Sequence, residues 1–427
     1  MNVRRIGSSL IVFVAIFSLG AISAEAVKVS LSGDISAEYR ANIGGDTPQA
    51  GAAMSIYEWP DQNLTNQTFR MTHIHPMLNI DVSDKTQATL MVCMSDRHMP
   101  MVWEANVAYS PYAGGDDFGG NPLTITAGRF FKPLGAYNLN SVMDGNLKTV
   151  SRPLAYTDHT DENMELHGGP RPIYMSPHYD TGLMLSGSKW VNNSQDQLWY
   201  GVYVVNGIYH NDVTFDPSTG GTEAASRVEM TWEMDHVQPS DNNLNKEIGG
   251  RVAYSYGNTF TIGASYLTGK FDPESKLTNS IQIVDLHIPV GAGNFRAEYA
   301  TNPTEWINKA SSGTTAANIY STGTKHEYTK TGWYAQFDYP LTKKLEAAAM
   351  YSHLSGSRTE DLGTYTVNDM SRMALALGYS PEAALKITTE YQLTKYGTYN
   401  ATTSNVTNYG SKVDDLSRVL IKASLMF

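Results

Sequence analysis

The stretch Val27–Arg40, with the sequence VKVSLSGDISAEYR, alternates strictly between two kinds of side chain. One face carries Val27, Val29, Leu31, Gly33, Ile35, Ala37 and Tyr39, and the other carries Lys28, Ser30, Ser32, Asp34, Ser36, Glu38 and Arg40. A period of two residues is that of a β-strand with one apolar and one polar side. A strand of a soluble protein usually has about 5–6 residues, whereas a membrane-spanning strand needs about 9–11. The stretch therefore predicts a strand that crosses a membrane.

The same alternation recurs up to the last residue. Val419, Ile421, Ala423, Leu425 and Phe427 alternate with Arg418, Leu420, Lys422, Ser424 and Met426. Between the two ends, further strands are predicted at 67–83, 86–95, 103–110, 123–130, 179–188, 197–206, 247–255, 259–267, 280–288, 294–300, 331–339, 345–353, 369–380 and 384–393. Because no backbone group can go unpaired in lipid, such a sheet must close on itself. The predicted fold is all-β, a closed antiparallel transmembrane β-barrel of about 16 strands.

The predicted connections fall into two classes of length. Short ones such as 83–85 and 256–258 separate some strands, whereas long polar ones cover 41–66, 131–178, 207–246, 301–330, 354–368 and 394–416. Short periplasmic turns on one side and long extracellular loops on the other are typical of a bacterial outer-membrane barrel. An even strand number then puts both chain ends on the periplasmic side. Tyr and Trp near strand ends, among them Trp103, Tyr179 and Tyr299, are expected to form its aromatic girdles.

Composition fits this interpretation and excludes several others. The 427 residues are 41% hydrophobic and 17% charged, with 26 tyrosines and 36 glycines, which favours many strands and turns. The net charge of -11 argues against a nucleic-acid partner, and a single cysteine excludes a disulfide framework. A soluble β-sandwich or propeller is the alternative fold, but no blade-length repeat is present.

Residues 1–26 have the layout of a secretory signal peptide. Arg4 and Arg5 precede an apolar core at 10–17, and Ala24-Glu25-Ala26 offers the small residues that a signal peptidase requires. A membrane anchor is the alternative, but the apolar core is short for a span of about 20 residues. Residues 27–427 are then the barrel. The terminal Phe427 resembles the signal read by the bacterial barrel-assembly machinery, which is therefore an expected partner together with outer-membrane lipid and lipopolysaccharide.

Several segments resemble one family of barrels. The sequence GRFFKPLG at 128–135 resembles the strand-to-loop junction of phosphate-selective porin O/P-like proteins, and segments 199–207, 332–336 and 377–381 are similar to later strands of that family. The resemblance implies a bacterial outer-membrane porin, a sixteen-stranded homotrimer through which small hydrophilic solutes or ions diffuse passively. It does not extend to phosphate selectivity, because the loops contain no obvious lysine cluster.

A pore of this kind would be lined by the polar faces of the strands. Charges facing lipid near the midplane cost about 2–4 kcal/mol for Arg or Lys, so alternating charges are assigned inward. The predicted pore-lining wall residues are Arg251, Arg372, Arg418, Lys422, Glu104 and Glu346. By resemblance to general porins, the loop 131–178 could fold into the barrel and narrow it. Its carboxylates Asp158, Asp161, Glu162 and Glu165 are then expected to face wall bases and to set up a transverse field.

Other clusters suggest different chemistry. His73 and His75 lie two residues apart on one strand face and could share a metal, but no third ligand is evident beside them. Cys93, Met94, His98, Met99 and Met101 form a soft-ligand group that could suit copper, although a methionine-rich strand end explains it as well. We therefore expect neither a metal nor a cofactor.

Catalysis is not expected either. Asp158-His159 could be a hydrolase fragment, but no Gly-x-Ser-x-Gly elbow is present. A function from another class remains as the alternative to the porin, namely a structural sheath around an electron-transfer partner such as a multihaem cytochrome. The chain itself has no Cys-x-x-Cys-His haem motif.

Overall fold

A computed structural model of the chain describes residues 27–44, 67–95, 100–113, 121–141, 143, 146–157, 173–175, 178–191, 195–207, 211–215, 225–230, 244–308, 324–360, 363–396 and 416–427. The predicted signal peptide and the loop carboxylates Asp158, Asp161, Glu162 and Glu165 lie outside these residues. Within this part of the chain, no helix is both long enough and apolar enough to cross a membrane.

Sixteen strands form one closed antiparallel barrel, as predicted. They are β1 (Lys28–Gly44), β2 (Thr68–Asp81), β3 (Thr86–Cys93), β4 (Met101–Tyr109), β5 (Thr124–Phe131), β8 (Tyr179–Val191), β9 (Asp196–Val205), β12 (Glu247–Tyr256), β13 (Phe260–Lys270), β14 (Thr278–Val290), β15 (Gly293–Asn308), β16 (Thr324–Pro340), β17 (Leu345–Glu360), β18 (Gly363–Glu382), β19 (Leu385–Tyr396) and β20 (Leu416–Met426), with the numbers between them belonging to strands outside the barrel ring. Each pairs with its neighbours in this order, and β1 pairs with both β2 and β20, which closes the ring.

The remaining elements belong to the connections. A hairpin of β10 (Asn211–Phe215) and β11 (Ala225–Met230) lies within 207–246, where a polar loop was predicted, and β11 pairs with the end of β15. The connection from β5 to β8 contains a short helix α1 (Gly135–Asn140) and two parallel two-residue strands, β6 (Tyr156–Thr157) and β7 (Tyr174–Met175).

The barrel is apolar outside and polar inside, the reverse of a soluble protein. On β1, Ile35 is 40% exposed while its neighbours Ser36 and Asp34 are fully buried. On β20, Ile421 is exposed and Lys422 is buried. Apolar side chains are exposed on most strands, among them Val284, Leu375 and Tyr391. Such an apolar outer face is the surface that lipid covers.

The two ends of the barrel differ as predicted, with one exception. The long loop predicted at 354–368 was wrong, because β17 and β18 extend through most of it and only two residues separate them. At one end β2 and β3 are joined by four residues and β14 and β15 by two, and β1 begins and β20 ends on this side. Gly291 sits in the latter turn with φ of 61°, a conformation that a two-residue hairpin needs and that glycine adopts without strain. Strands β15 to β18 extend further toward the other end than predicted. Outside the lipid an exposed polar side chain carries no free-energy penalty, so the hydrogen-bonded pairing of the strands can continue.

Two β-bulges change which side chains face inward. In the pairing of β1 with β2, Ser36 lies opposite His73 and Ala37 opposite Met71, so Thr72 is the extra residue. In the pairing of β3 with β4, Trp103 is extra. A bulge shifts the alternation by one residue. Trp103 is therefore buried inside the barrel, and its predicted place in a lipid-facing girdle was wrong. Tyr179 is also buried, whereas Tyr299 is half-exposed on the outside as predicted.

Candidate functional site

The structure places the predicted wall residues as follows. Arg251, Arg372, Arg418 and Lys422 are buried within the barrel, and Glu104 and Glu346 are partly buried. Burial of these charges is possible because each lies on the polar face of its strand and meets other polar groups of the lumen.

Two of the wall arginines, Arg251 and Arg372, donate to nearby oxygens. Arg251 on β12 forms a bidentate ion pair with Asp285 on β14, reaching across β13. Gly263 on β13 lies between them, and a Cβ there would sit about 2.6 Å from a carboxylate oxygen of Asp285. Glycine at this position therefore leaves room for the guanidinium to reach the carboxylate. Arg372 on β18 donates to Thr394 and to the backbone carbonyl of Arg152.

The segment after β5, residues 132–156, crosses to the opposite wall. Its first anchor is α1, where the backbone N–H of Gly135 donates to Ser265 Oγ at 3.0 Å. The N–H of Tyr137 and the hydroxyl of Tyr156 both donate to the carboxylate of Glu298 on β15, at 2.5 and 2.8 Å. One buried wall carboxylate thus holds two parts of the segment together.

A second anchor lies on β19. The carboxylate of Glu390, which is fully buried, accepts the backbone N–H of Val150 at 2.6 Å and both the N–H and the hydroxyl of Ser151. Close by, Lys386 donates to the carbonyl of Leu147 at 2.7 Å. Hydrogen bonds to a carboxylate are stronger than those between neutral groups, so several of them fix a segment of irregular structure in place.

Charged side chains of the segment pair with acids of the wall. Lys132 Nζ lies 2.6 Å from Glu247 on β12, and both side chains are almost completely buried. Lys148 Nζ lies 2.7 Å from Glu346 on β17, which Lys386 also contacts at 2.5 Å. In the described part of the segment, the polar groups that meet the wall are therefore lysines, hydroxyls and backbone N–H and C=O groups.

Apolar packing completes the contact. Leu154, Ala155 and Tyr156 join a buried cluster with wall residues such as Tyr334 and Met350. Ala155 lies against Gly332 of β16, where an added Cβ would come 2.6 Å from the Cβ of Ala155. Because Gly332 has no side chain, the backbone of the segment can approach the backbone of β16 closely at this point.

Sequence reasoning missed most of these segment–wall partners. Glu298 and Glu390 stand at polar positions of alternating strands, but nothing local indicates that they accept hydrogen bonds from residues 161 and 240 positions away. The sequence around Lys132 does not indicate a partner on a distant strand either. Its partner Glu247 begins a strand whose place in the ring depends on all preceding pairings.

A second group of side chains lies on the wall of β2 and β3. The ligand atoms of His73, His75 and Cys93 all lie within 4.8 Å of one another, and all three residues are buried. The strand pairing thus supplies a third potential ligand for the histidine pair, which the sequence did not reveal. His98 and Met99 of the soft-ligand group lie outside the described residues.

Comparison with solved structures identifies the fold. OmpT, an outer membrane protein of Vibrio cholerae in a trimer form, superposes with a TM-score of 0.53 at 10% identity over 94% of this chain and all of that one. An anion-selective porin from Comamonas acidovorans has the same TM-score, identity and coverage. The outer membrane channel DcaP of Acinetobacter baumannii reaches 0.51 at 12% identity over 96% of this chain and 99% of that one.

These likenesses show a porin-type barrel. No protein-family model and no curated protein matches the chain, so the resemblance to phosphate-selective porins has no support at the level of sequence. The closed 16-stranded barrel with its apolar exterior places the protein in the bacterial outer membrane.

Proposed function

We propose that the protein is an outer-membrane porin, a water-filled channel for passive diffusion of small hydrophilic solutes or ions, in which residues 132–156 form the constriction. The observation that carries the proposal is the set of bonds from this segment to wall carboxylates on β12, β15, β17 and β19. A segment that is hydrogen-bonded or ion-paired to four strands would narrow the lumen at a fixed place. A free loop of the same length could not exclude solutes by size.

The charges at the proposed constriction are mixed. Lys132 and Lys148 of the segment face Glu247 and Glu346 of the wall, and the bases Lys386 and Arg372 lie nearby. Opposed charges create a transverse field that favours polar over apolar solutes. With Glu298 and Glu390, which also bond to the segment, four acids stand against these four bases, and we therefore propose weak ion selectivity. We propose that this field also receives contributions from Arg418, Lys422 and Glu104 of the wall and from the four loop carboxylates.

One structural neighbour bears on the oligomeric state. OmpT of Vibrio cholerae was solved in a trimer form, and on that basis we propose a homotrimer for this chain. We also propose that the barrel contacts lipopolysaccharide and that the barrel-assembly machinery recognises the chain. The alternative function, a sheath around an electron-transfer partner, gains no support from the described lumen, which the chain's own segment crosses.

Single-channel recording in planar bilayers tests the proposal. Residues 27–427 are compared with a variant in which residues 136–155 are replaced by a short Gly-Ser linker. We expect the wild type to form channels and the variant to form channels of several-fold larger conductance. Folding of both is checked by the shift of the unboiled band on a gel. Absence of channel activity in the folded wild type would refute the porin function, and equal conductance would refute the constriction.

A further inference from the structure

The three side chains His73, His75 and Cys93 are brought together by the strand register. His73 and His75 stand on β2, and Cys93 ends β3, the next strand of the ring. The imidazole rings are stacked with their centroids 4.5 Å apart, and Nε2 of His75 lies 3.2 Å from Sγ of Cys93. Potential ligand atoms within 4.8 Å of one another can bind a single ion with only small adjustments of side chains.

The bulge on β2 and the bulge on β4 both lie at this cluster. The bulge at Thr72 precedes His73, and the bulge at Trp103 places the indole ring 4.5 Å from the ring of His75. Bulges occur frequently beside functional sites because they re-aim side chains. A regular ladder would have left Trp103 on the lipid side, where it would not cover the cluster.

A carboxylate orients one of the imidazoles. Asp34 Oδ1 on β1 lies 2.8 Å from Nδ1 of His75, and both side chains are fully buried. Metal-binding histidines characteristically donate their second ring N–H to a carboxylate, which fixes the tautomer and raises the basicity of the other nitrogen. Here that other nitrogen is Nε2, the atom that faces the sulfur of Cys93.

The surroundings of the cysteine are rich in thioethers. Met91 is fully buried beside Cys93, and Met77, Met101 and Met143 pack against the same cluster. Imidazole and thiolate bind both copper and zinc, but thioether is not among the usual zinc ligands, so the surrounding methionines favour the cuprous ion. The aromatic side chains Trp103, Tyr179 and Phe131 close the cluster and limit access of water.

We propose that His73, His75 and Cys93 form a binding site for one copper(I) ion in the barrel wall, with Asp34 as the residue that positions His75. On binding, the thiol proton of Cys93 leaves to solvent and the sulfur bonds to copper, so the charge of the site does not change. The ion then links β2 to β3 at the level of the bulges. Met143 of the segment of residues 132–156 packs against the cluster, but none of the proposed ligands lies in that segment, and the site does not rest on the proposed channel function.

Competition titration tests the site. The purified barrel in detergent is titrated with copper(I) in the presence of the chromophoric chelator bicinchoninate, under anaerobic conditions. We expect one bound ion per chain. The changes Cys93→Ser and His75→Gln should weaken binding by more than the roughly 10–100-fold loss that second-shell changes cause, and Asp34→Asn should weaken it within that range. His287→Gln, on β14 and outside the cluster, is the matched control and should bind as the wild type does.

Each other outcome counts against the proposal. Failure of the wild type to compete with the chelator, or equal affinity in Cys93→Ser, overturns the site, and tighter binding of zinc(II) than of copper(I) in parallel titrations overturns the choice of metal. X-ray absorption on the copper-loaded wild type covers the case in which a variant fails to fold. It should show both sulfur and imidazole nitrogen bound to copper, and a spectrum with only one of the two would refute the assignment.

Discussion

Glu390 accepts a hydrogen bond of 2.6 Å from the backbone N–H of Val150, which lies 240 positions earlier in the chain. This bond and those from Ser151 tie the segment of residues 132–156 to β19. The carboxylate is fully buried, so its partners replace water completely. Hydrogen bonds to a charged group contribute about 1.5–3 kcal/mol each when measured by mutation.

The change Glu390→Ala should therefore loosen the segment. It removes the acceptor and leaves buried N–H groups of Val150 and Ser151 to find water. We expect a higher single-channel conductance and a lower temperature at which the folded gel band converts to the unfolded one. Glu382→Gln, at an exposed position on β18, is the control and should change neither. Unaltered conductance in Glu390→Ala would show that this anchor does not hold the constriction.

The flat contact between Gly332 and Ala155 yields a second prediction. A Cβ at position 332 would lie 2.6 Å from that of Ala155, closer than two carbon atoms can pack. We expect Gly332→Ala to displace the segment or to destabilise the barrel by about 1–3 kcal/mol, the usual cost of overpacking. The double variant Gly332→Ala with Ala155→Gly should recover most of the loss, which urea unfolding monitored by tryptophan fluorescence would measure. A double variant no better than the single one would contradict the contact.

The buried pair of Arg251 and Asp285 predicts a non-additive result. Removing one partner leaves an uncompensated buried charge, which costs about 3–5 kcal/mol, whereas replacing both by apolar residues is often nearly neutral. We expect Arg251→Met and Asp285→Leu each to destabilise the barrel strongly and the double variant to be more stable than either. The measurement is a double-mutant cycle of unfolding free energies. Additive losses would mean that the two side chains do not interact in the folded protein.

Ion selectivity should respond to the lysines around Glu346. Lys148 and Lys386 both contact this carboxylate, so together they more than neutralise it. We expect Lys148→Gln combined with Lys386→Gln to shift the reversal potential in a salt gradient toward cation selectivity. Lys343→Gln removes an exposed lysine in the turn between β16 and β17 and should leave the reversal potential as it is. A shift in the control but not in the double variant would place the selective charges elsewhere.

The strands were readable from the sequence because their alternation is local. Asp34 and Ile35 differ in polarity, and they differ in burial for the same reason, since one faces the lumen and the other lipid. The bulge at Trp103 was not readable, because it depends on the pairing of β3 with β4 rather than on either strand alone. The contacts between the segment and the wall were even harder to predict from the sequence. Glu298 and Tyr137 meet only when the ring has closed and the segment has entered it.

The last prediction concerns the outer surface. Val284 is 51% exposed near the middle of β14, and Val290 is 46% exposed at its turn end. An arginine at the bilayer midplane costs about 2–4 kcal/mol, falling to about 0–1 kcal/mol near the interface. We expect Val284→Arg to destabilise the barrel in lipid vesicles by the larger amount and Val290→Arg by the smaller one, as measured by reversible unfolding in guanidinium chloride. Because the two valines are equally apolar and similarly exposed, only their depth in the membrane distinguishes them. Equal effects of the two substitutions would contradict a lipid belt centred on the middle of this strand.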